Sequence, residues 1–515
     1  MQTRRDQVQA HLFTLSRVQS GLLRGEPDAP ETPMRRFSLG TMAGALVGVV
    51  VMAGFAAFGF ISPGSSKAFQ KEGTLVIVKD KGARYLYLGG ALHPVANYSS
   101  ALLITGQRTL KPQNVTAKAI KNVPRGPAVG IVGAPEGLPD AKSMDRGPWA
   151  ICSTEVDDGN GGRRPVVTAY AGGRPEGLRV LRDTEAIGVE GTDGKAYVAY
   201  TDRRFEATSR NALTALGFAN VSSFRVGDAW INALSAGPDL EQDDVPGRGT
   251  AGVTVGGVAT RVGQVLQDDA NGNFFLVWKD GITPMTRTEA TLVLGDPRTA
   301  AAYPDGNPVA LRVNSAAIAQ TAITDRQLNQ GGLPPVPPTP VADPGTGTTT
   351  PCVQVEPAKN PAAPSTVRVA VRTGQPNAVS PAGIGLPAGP PAGQAPSGTT
   401  LADRVVVPAG RGVLAQEQGS AGDLSPTLFL ITDSGVKYPL ATPQVAQTLG
   451  YNTAAAVPVP SSVLALVPSG PVLDPEAAKR PLAFAPGSVP QAPAEPAPAP
   501  SSTPDPTGAP SRARD

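Results

Sequence analysis

Histidine, the side chain best suited to acid–base chemistry near neutral pH, is rare in this chain of 515 residues. A serine or cysteine hydrolase needs a base beside its nucleophile, and histidine is the usual base. The sequence contains only His11 and His93. His93 falls in a strand position that Thr283 and Tyr438 occupy in similar segments, and a proline follows each of the three. We therefore interpret His93 as a structural residue and predict no catalytic residue.

Nucleotide and metal sites also lack a clear sequence signal. The string G-x-x-x-x-G-K-[ST], whose backbone amides cradle phosphates in P-loop enzymes, is absent. The glycine-rich strings 130–133 and 252–257 are typical of loops. The segment Asp268–Asn273 has oxygen side chains near a glycine but lacks the distal glutamate of an EF-hand. We interpret it as a polar turn, with weak calcium binding as the alternative, and predict no cofactor and no metal.

The chain has two cysteines, Cys152 and Cys352, which lie far apart in the sequence. In an oxidising compartment, two lone cysteines most simply form one disulfide. Two buried free thiols are the alternative. A metal site is disfavoured because the spacing of metal ligands is missing.

These residues follow an uncharged apolar run that extends from Phe37 to Ile61. The run is long enough to cross the hydrocarbon core of about 30 Å as one helix. We predict a transmembrane helix over residues 37–62. A cleaved signal peptide is disfavoured because 36 residues precede the run and no clear A-x-A site follows. A buried core helix is the third interpretation.

The residues before the span indicate a cytoplasmic head, residues 1–36. Arg35 and Arg36 adjoin the span, whereas Lys67 and Lys71 follow it, so the positive-inside bias favours a cytoplasmic N-terminus. Apolar residues at three- to four-residue steps predict an amphipathic helix from Arg5 to Gly25. Such a helix lies on the inner leaflet or docks on a cytoplasmic partner. The predicted docking residues are Val8, Leu12, Leu15, Val18 and Leu22.

Residues 63–484 contain four segments of one layout, near 74–106, 193–217, 272–295 and 425–451. Alternating β-branched and aromatic residues around a glycine-type turn predict a hairpin in each. A Ser or Thr then caps a short helix, and a glycine that can adopt the left-handed conformation follows. Because one such unit buries little surface alone, the units should pack against each other or a central part that includes the cysteines.

Two internal stretches, Gly331–Pro351 and Gly374–Thr399, are rich in proline and glycine. The tail, residues 485–515, is composed mainly of Ala, Pro and Ser and is predicted to be disordered. A net charge of +3 gives no electrostatic footprint for nucleic acid.

Several strings, in the same order along the chain, carry a family resemblance. They are residues 5–13, 22–25, 33–36, 125–135, 149–152, 232–240 and 261–266. Together they resemble the EccB family of type VII (ESX) secretion proteins. The resemblance implies an α+β fold in which one N-terminal transmembrane helix precedes an elongated β-rich extracytoplasmic domain. That domain would have a central core, four hairpin-plus-short-helix repeats and a bracing disulfide between Cys152 and Cys352.

The resemblance also implies a structural role in a cell-membrane complex that exports small WXG100-type proteins. The implied partners are the FtsK/SpoIIIE-like ATPase EccC, the membrane subunits EccD and EccE, and other EccB copies. Some family members are labelled ATPases, so ATP binding and hydrolysis are kept as one alternative function. An anchored cell-wall binding module is another.

Overall fold

The computed structural model describes most of the chain. The chain divides into two compact units. The described residues are 4–25, 34–61, 67–79, 81–241, 244–326, 332–344, 348–360, 363–374 and 400–482. The first unit comprises residues 1–93 and 111–126, and the second comprises residues 94–110 and 127–515. The predicted disordered tail and residues 375–399 lie outside the described residues.

Short strands and short helices alternate after two long N-terminal helices. The α-helices are α1 Arg4–Arg24, α2 Met34–Ile61, α3 Tyr98–Thr105, α4 Arg210–Ala215, α5 Asp228–Asn232, α6 Arg287–Leu294, α7 Ser315–Gln320, α8 Pro443–Thr448, α9 Ser461–Leu464 and α10 Pro475–Lys479. The first twelve strands are β1 Thr74–Val78, β2 Arg84–Leu88, β3 Ala91–Pro94, β4 Gln113–Val115, β5 Trp149–Asp157, β6 Arg163–Tyr170, β7 Leu178–Val180, β8 Glu185–Glu190, β9 Ala196–Tyr200, β10 Arg203–Glu206, β11 Phe224–Arg225 and β12 Ser235–Ala236. The next twelve are β13 Val265–Asp268, β14 Phe274–Val277, β15 Ile282–Met285, β16 Leu311–Val313, β17 Thr339–Pro340, β18 Thr349–Glu356, β19 Thr366–Thr373, β20 Arg404–Val406, β21 Gly412–Gln418, β22 Leu424–Thr432, β23 Lys437–Pro439 and β24 Val457–Pro460.

Helix α2 contains the predicted membrane span. Its stretch Phe37–Phe55 has 19 residues and a mean hydropathy of 1.8, and none of this stretch is buried against the rest of the protein. Among the described residues it is the one helix whose length and composition suit a membrane crossing. An apolar helix of this kind cannot stay uncovered in water, because its side chains gain free energy only where water is removed from them.

The first unit contains a small sheet with the strand order β3-β2-β1-β4. Strands β1, β2 and β3 are antiparallel neighbours, whereas β4 runs parallel to β1. Gly89 and Gly90, with φ of +54° and +82°, form the tight turn between β2 and β3, as a two-residue hairpin with a left-handed turn requires. One face of this sheet buries Val76, Val78 and Leu92.

The same strand order recurs three times in the second unit. We call the four sheets module 1 (β1–β4), module 2 (β8–β12), module 3 (β13–β16) and module 4 (β21–β24). Modules 2, 3 and 4 contain the orders β10-β9-β8-β11, β15-β14-β13-β16 and β23-β22-β21-β24. In each, the fourth strand is parallel to the first. Each third strand also pairs in parallel with a later segment, which begins near Arg125, Ser235, Ile323 or Ser469.

A further sheet of six strands forms the centre of the second unit. Its order is β20-β6-β5-β18-β19-β7. The largest core cluster joins this sheet to modules 2 and 4. Trp149 of the central sheet and Trp230 of α5 are both fully buried there, and each tryptophan contributes a large apolar area to the core.

The helices that follow the third strands begin with different capping residues. Ser209 caps α4 by accepting a hydrogen bond from the Ala212 N–H, as predicted. The prediction of a Ser or Thr cap is wrong for α3, where Asn97 accepts from the Ser100 N–H. Asparagine serves equally well because its side-chain oxygen reaches the same free N–H groups. Thr286 caps helix α6 and forms a capping box with Glu289.

The glycines after these helices also differ in conformation. Gly106, Gly217 and Gly450 are left-handed, with φ of +66°, +81° and +92°. Gly295 has φ of −79° instead. A methyl group on Gly295 would lie 2.4 Å from the Ala215 Cβ, so this glycine permits the close approach of α4 to α6.

Candidate functional site

The two cysteines lie on neighbouring strands of the central sheet. Cys152 of β5 and Cys352 of β18 are direct partners in the antiparallel register. Their Cα atoms are 4.1 Å apart, and the two sulfur atoms form a disulfide. Both residues are buried, and the small side chains of Ala150 and Ala370 lie beside them. Water and soluble thiols therefore have little access to this bond.

The position of the disulfide relates to modules 2 and 3. The cysteines are 200 positions apart in the sequence, and the residues between them contain both modules. Closing a loop of that length removes about 5 kcal/mol of chain entropy from the unfolded state in the simplest model. The disulfide thus joins the two ends of the segment, between Cys152 and Cys352, that contains modules 2 and 3.

The five predicted docking residues form an uncovered stripe along α1. Each of them is at least half exposed, and Leu22 is 81% exposed. The sequence interpretation missed Phe13, which is also exposed, at 64%. The Arg17 guanidinium lies over its ring, 5.7 Å from the centroid. Because Phe13 is outside the regular three- to four-residue spacing, that spacing could not find it.

His93 lies in the third strand of module 1, with its ring close to Gly126. A methyl group on Gly126 would lie 2.1 Å from His93 Cε1. The ring therefore occupies the space above Gly126, whose N–H donates to the Leu92 carbonyl at 3.1 Å.

The segment Asp268–Asn273 forms the turn between β13 and β14. The Asp268 carboxylate accepts hydrogen bonds from Ser315 Oγ at 2.5 Å, the Ala270 N–H at 3.0 Å and Asn271 Nδ2 at 2.8 Å. These bonds, with that of Ser315 first, hold the pKa of Asp268 below its ordinary value. The Asp268 oxygens thus accept hydrogen bonds that stabilise the turn. In the described ranges, no cluster of three or more His, Cys, Asp or Glu residues suits a metal.

The glycine-rich string 252–257 forms part of a hairpin tip. Val255 and Val258 exchange backbone hydrogen bonds of 3.0 and 2.9 Å. Gly256 and Gly257 between them have φ of +57° and +81°, which is the type I′ turn of a tight hairpin. A phosphate-binding loop would instead lead from a strand into a helix N-terminus.

Two carboxylates are held by arginines within the second unit. Glu185 at the start of β8 accepts from Arg182 at 2.7 Å and from Arg179 at 2.8 Å. The bonds from Arg182 are the main cause that lowers the pKa of Glu185 to about 2. Asp296 is 2% exposed, and its Oδ2 lies 3.0 Å from Nη1 of Arg248, which is 9% exposed. Burial lowers the pKa of Arg248.

A polar cleft of about 720 Å³ lies among module 2, strand β19 and module 4. Asp183 and Arg368 form an ion pair of 2.6 Å at this cleft. Thr201 has the positive φ of +50° there, which is unusual for a residue other than glycine. Its lining contains no His, Cys or Lys. The sequence did not reveal the cleft because its lining comes from separate segments. The hydroxyl-bearing lining residues are Tyr200, Thr201, Ser235, Ser365, Thr366, Ser420, Ser461 and Ser462.

Comparison with known proteins gives similarity over nearly the whole chain. The family model described as "Type VII secretion system ESX-1, transport TM domain B" matches residues 1–483. A relative from Mycobacterium marinum, named ESX-5 secretion system ATPase EccB5, is 30% identical over 335 residues, which are 62% of this chain and 64% of the relative. That alignment covers slightly less than two thirds of the relative's length. ESX-2 secretion system ATPase EccB2 of Mycobacterium tuberculosis is 28% identical over 499 residues, 92% of this chain and 94% of the relative.

Solved structures have the same fold. A chain of the intact ESX-5 inner membrane complex aligns with a TM-score of 0.61 and 25% identity, covering 96% of this chain and 98% of that chain. EccB3 in the dimer from the ESX-3 core complex aligns with a TM-score of 0.58 and 23% identity, covering 79% of this chain and 100% of that chain. The match of one family model from residue 1 to residue 483 shows that this chain belongs to the EccB family of type VII secretion proteins.

Proposed function

We propose that this chain is a membrane-anchored structural subunit of a type VII secretion complex. The observation that carries the proposal is the alignment of 96% of the chain with a chain of the intact ESX-5 inner membrane complex. In this role the protein contributes surfaces rather than chemistry. Its partners are other EccB copies, an EccC-type FtsK/SpoIIIE-like ATPase, and EccD and EccE membrane subunits, and the cargo is small WXG100-type proteins.

In this proposal, residues 1–36 are a cytoplasmic head, residues 37–62 cross the membrane once, and residues 63–484 are extracytoplasmic. The high hydropathy of α2 and the exposure of its side chains support the membrane anchor. Arg35 and Arg36 before the span support the orientation. The disulfide supports an oxidising compartment for the bulk of the chain, because disulfides persist there.

The four modules act as repeats around the central sheet, so that one chain offers several related surfaces to its partners. Their common strand order supports this view. Several weak contacts made by one chain raise the effective concentration of every further contact. A subunit of this kind assembles firmly even if each single surface binds weakly.

The exposed apolar stripe of α1 is assigned to docking on a cytoplasmic partner. An uncovered stripe of Val and Leu residues is stable where a second apolar surface removes it from water. The repeated apolar spacing along one face supports a helical partner or an apolar groove.

The test is gentle detergent extraction of the tagged full-length protein, a native gel, and mass spectrometry of the band. We expect a band far above the 52.6 kDa of the chain that contains an FtsK-like ATPase and multispan subunits. A lone monomer or dimer, extracted under conditions that preserve other membrane complexes, would contradict the proposal.

The curated relatives are named ATPases, so ATP hydrolysis is the second candidate function. We assign ATP hydrolysis to the EccC-type partner instead. ATP turnover by the highly pure full-length chain, lost in a point variant that still folds, would reverse this assignment.

A further inference from the structure

The net charge of +3 conceals a strong asymmetry along the chain. Residues 67–126 contain ten basic and two acidic residues, whereas residues 127–515 contain 29 basic and 36 acidic residues. The segment directly after the candidate span is therefore the basic part of the chain. Its basic residues are Lys67, Lys71, Lys79, Lys81, Arg84, Arg108, Lys111, Lys118, Lys121 and Arg125.

These basic side chains are on the surface. The nine from Lys71 to Arg125 are all exposed, and the Lys67 side chain lies outside the described residues. The two acidic residues are Glu72, whose carboxylate accepts from the Gly89 N–H at 3.1 Å, and Asp80, which lies outside the described residues. The segment thus has few carboxylates to neutralise its lysines.

Module 1 brings four of the lysines to one end of its sheet. Lys79 and Lys81 lie in the turn after β1. The Lys79 N–H donates to the carbonyl of Val115, the last residue of β4, at 3.0 Å. Lys118 and Lys121 follow within the next six residues. With Asp80 between Lys79 and Lys81 in the sequence, the four lysines give these neighbouring turns a formal net charge of +3. We call them the basic end of module 1.

Chain connectivity keeps module 1 close to the end of α2. Only five residues separate Ile61, the last residue of α2, from Lys67. Six residue steps span at most about 21 Å even when fully extended. Charges attract a surface of opposite sign over about 8 Å at physiological ionic strength. The short connection therefore keeps module 1 next to the membrane surface at which α2 ends.

From these observations we infer that the basic end of module 1 binds anionic phospholipid headgroups of the leaflet at which α2 emerges. This inference rests on the proposed membrane anchoring. Lysine ammonium groups suit phosphate oxygens as point charges with several donors. Each basic residue near an anionic membrane strengthens binding by about fivefold, so four lysines suffice to hold a tethered module against the surface.

The test uses the full-length chain in nanodiscs of phosphatidylcholine alone and of phosphatidylcholine mixed with phosphatidylglycerol. Hydrogen–deuterium exchange is followed in peptides that cover residues 79–84 and 116–125. We expect exchange there to be about fivefold slower or more in the mixed nanodiscs. The difference should disappear near 1 M salt, where the screening length is about 3 Å.

A triple variant, Lys79→Glu, Lys81→Glu and Lys118→Glu, should lose the lipid-dependent protection. The matched control reverses three exposed basic residues of the second unit, Lys279→Glu, Arg312→Glu and Lys359→Glu, and should keep it. Failure of the chain to enter nanodiscs would overturn the anchoring on which both proposals rest.

Incorporation without any effect of lipid charge would overturn this inference alone and leave the proposed subunit role intact. Soluble polyglutamate is then added to the chain in phosphatidylcholine nanodiscs. If it slows exchange as much as phosphatidylglycerol does, the inference is also overturned, and a soluble acidic polymer is the ligand.

Discussion

Tyr438 of β23 lies directly above Gly470, so closely that a methyl group on Gly470 would be 2.4 Å from Tyr438 Cε1. The Gly470 N–H donates to the carbonyl of Lys437 at 2.8 Å. The same pair of contacts recurs in two other modules, with Phe205 above Gly237 and with His93 above Gly126. In modules 1, 2 and 4 the third strand thus places a ring over a glycine of the last segment in its module.

Module 3 solves the same packing problem with different residues. Its equivalent pair is Thr283 and Thr324, whose hydroxyls share a hydrogen bond of 2.6 Å. The Thr324 N–H donates to the Ile282 carbonyl at 2.9 Å, as the glycines do in the other modules. A ring with glycine and a pair of threonines are therefore alternative solutions at one structural position.

The first prediction concerns Gly470→Ala. The added methyl group collides with Tyr438, and such overpacking costs about 1–3 kcal/mol. The midpoint of urea unfolding, followed by tryptophan fluorescence of the full-length protein in detergent, should fall. Gly173→Ala is the control, since a methyl group there meets no atom within 4 Å.

The double variant Tyr438→Thr with Gly470→Thr should be more stable than the sum of its single variants predicts, because it recreates the pair of module 3. Additive single effects would show that the two positions are not coupled.

The second prediction concerns the buried pair of Arg248 and Asp296. Asp296→Ala leaves the Arg248 guanidinium buried without its carboxylate, and breaking a buried pair costs about 3–5 kcal/mol. The midpoint of thermal unfolding, monitored by tryptophan fluorescence, should shift strongly downward. The matched control is Glu476→Ala in the exposed pair with Lys479, which should change the free energy of unfolding by less than about 1 kcal/mol. An equal loss in both variants would contradict the argument from burial.

The third prediction concerns the disulfide. Replacing Cys152 and Cys352 together by alanine should lower the free energy of unfolding by about 2–5 kcal/mol. The native fold should remain, because β5 and β18 also share backbone pairing. Because the fold is less stable without the bond, a protease should cleave the variant faster in the residues between positions 152 and 352. Unchanged proteolysis and an unchanged urea midpoint would show that the bond constrains nothing.

The fourth prediction concerns acid stability. The pKa of Glu185 is about 2 in the folded protein, against an ordinary value of 4.5. Because the folded-state pKa is depressed, the carboxylate stabilises the fold fully above pH 4.5, and this contribution is lost as the pH falls toward 2. Glu185→Gln should therefore be less stable than the native chain at pH 7, and the difference should shrink at pH 3. The exposed Glu176 provides the control substitution Glu176→Gln. A difference that does not depend on pH would contradict the assignment.

The fifth prediction concerns the stripe on α1. Leu12→Asp with Leu15→Asp should abolish co-purification of the membrane partners, since two charges cannot enter an apolar interface without a large desolvation cost. Tryptophan fluorescence should remain native, because Trp149, Trp230 and Trp278 are all in the second unit. Gln9→Asp with Ala10→Asp introduces the same charges at exposed positions away from the stripe and should retain the partners. An intact complex with the Leu12 and Leu15 substitutions would exclude this surface from docking.

The sequence by itself determined the features that depend on neighbouring residues. The apolar period of Val8 to Leu22 and the uncharged run after Phe37 indicated the two regions in which α1 and α2 lie. Hairpin turns such as Gly89-Gly90 were readable because only glycine adopts a pair of positive φ angles without strain. The family was readable because several specific strings occur in one order, and the family model confirmed it.

Only the tertiary structure revealed the relationships between distant residues. In modules 3 and 4, dozens of residues separate the first strand from the late segment that pairs with the third strand. No local sequence pattern indicates that these parts belong to one sheet. The register that sets Cys152 opposite Cys352 depends on backbone pairing across 200 positions. The ring above each glycine is likewise a contact between strands, and its physical cause is close packing, which acts between neighbours in space rather than in sequence.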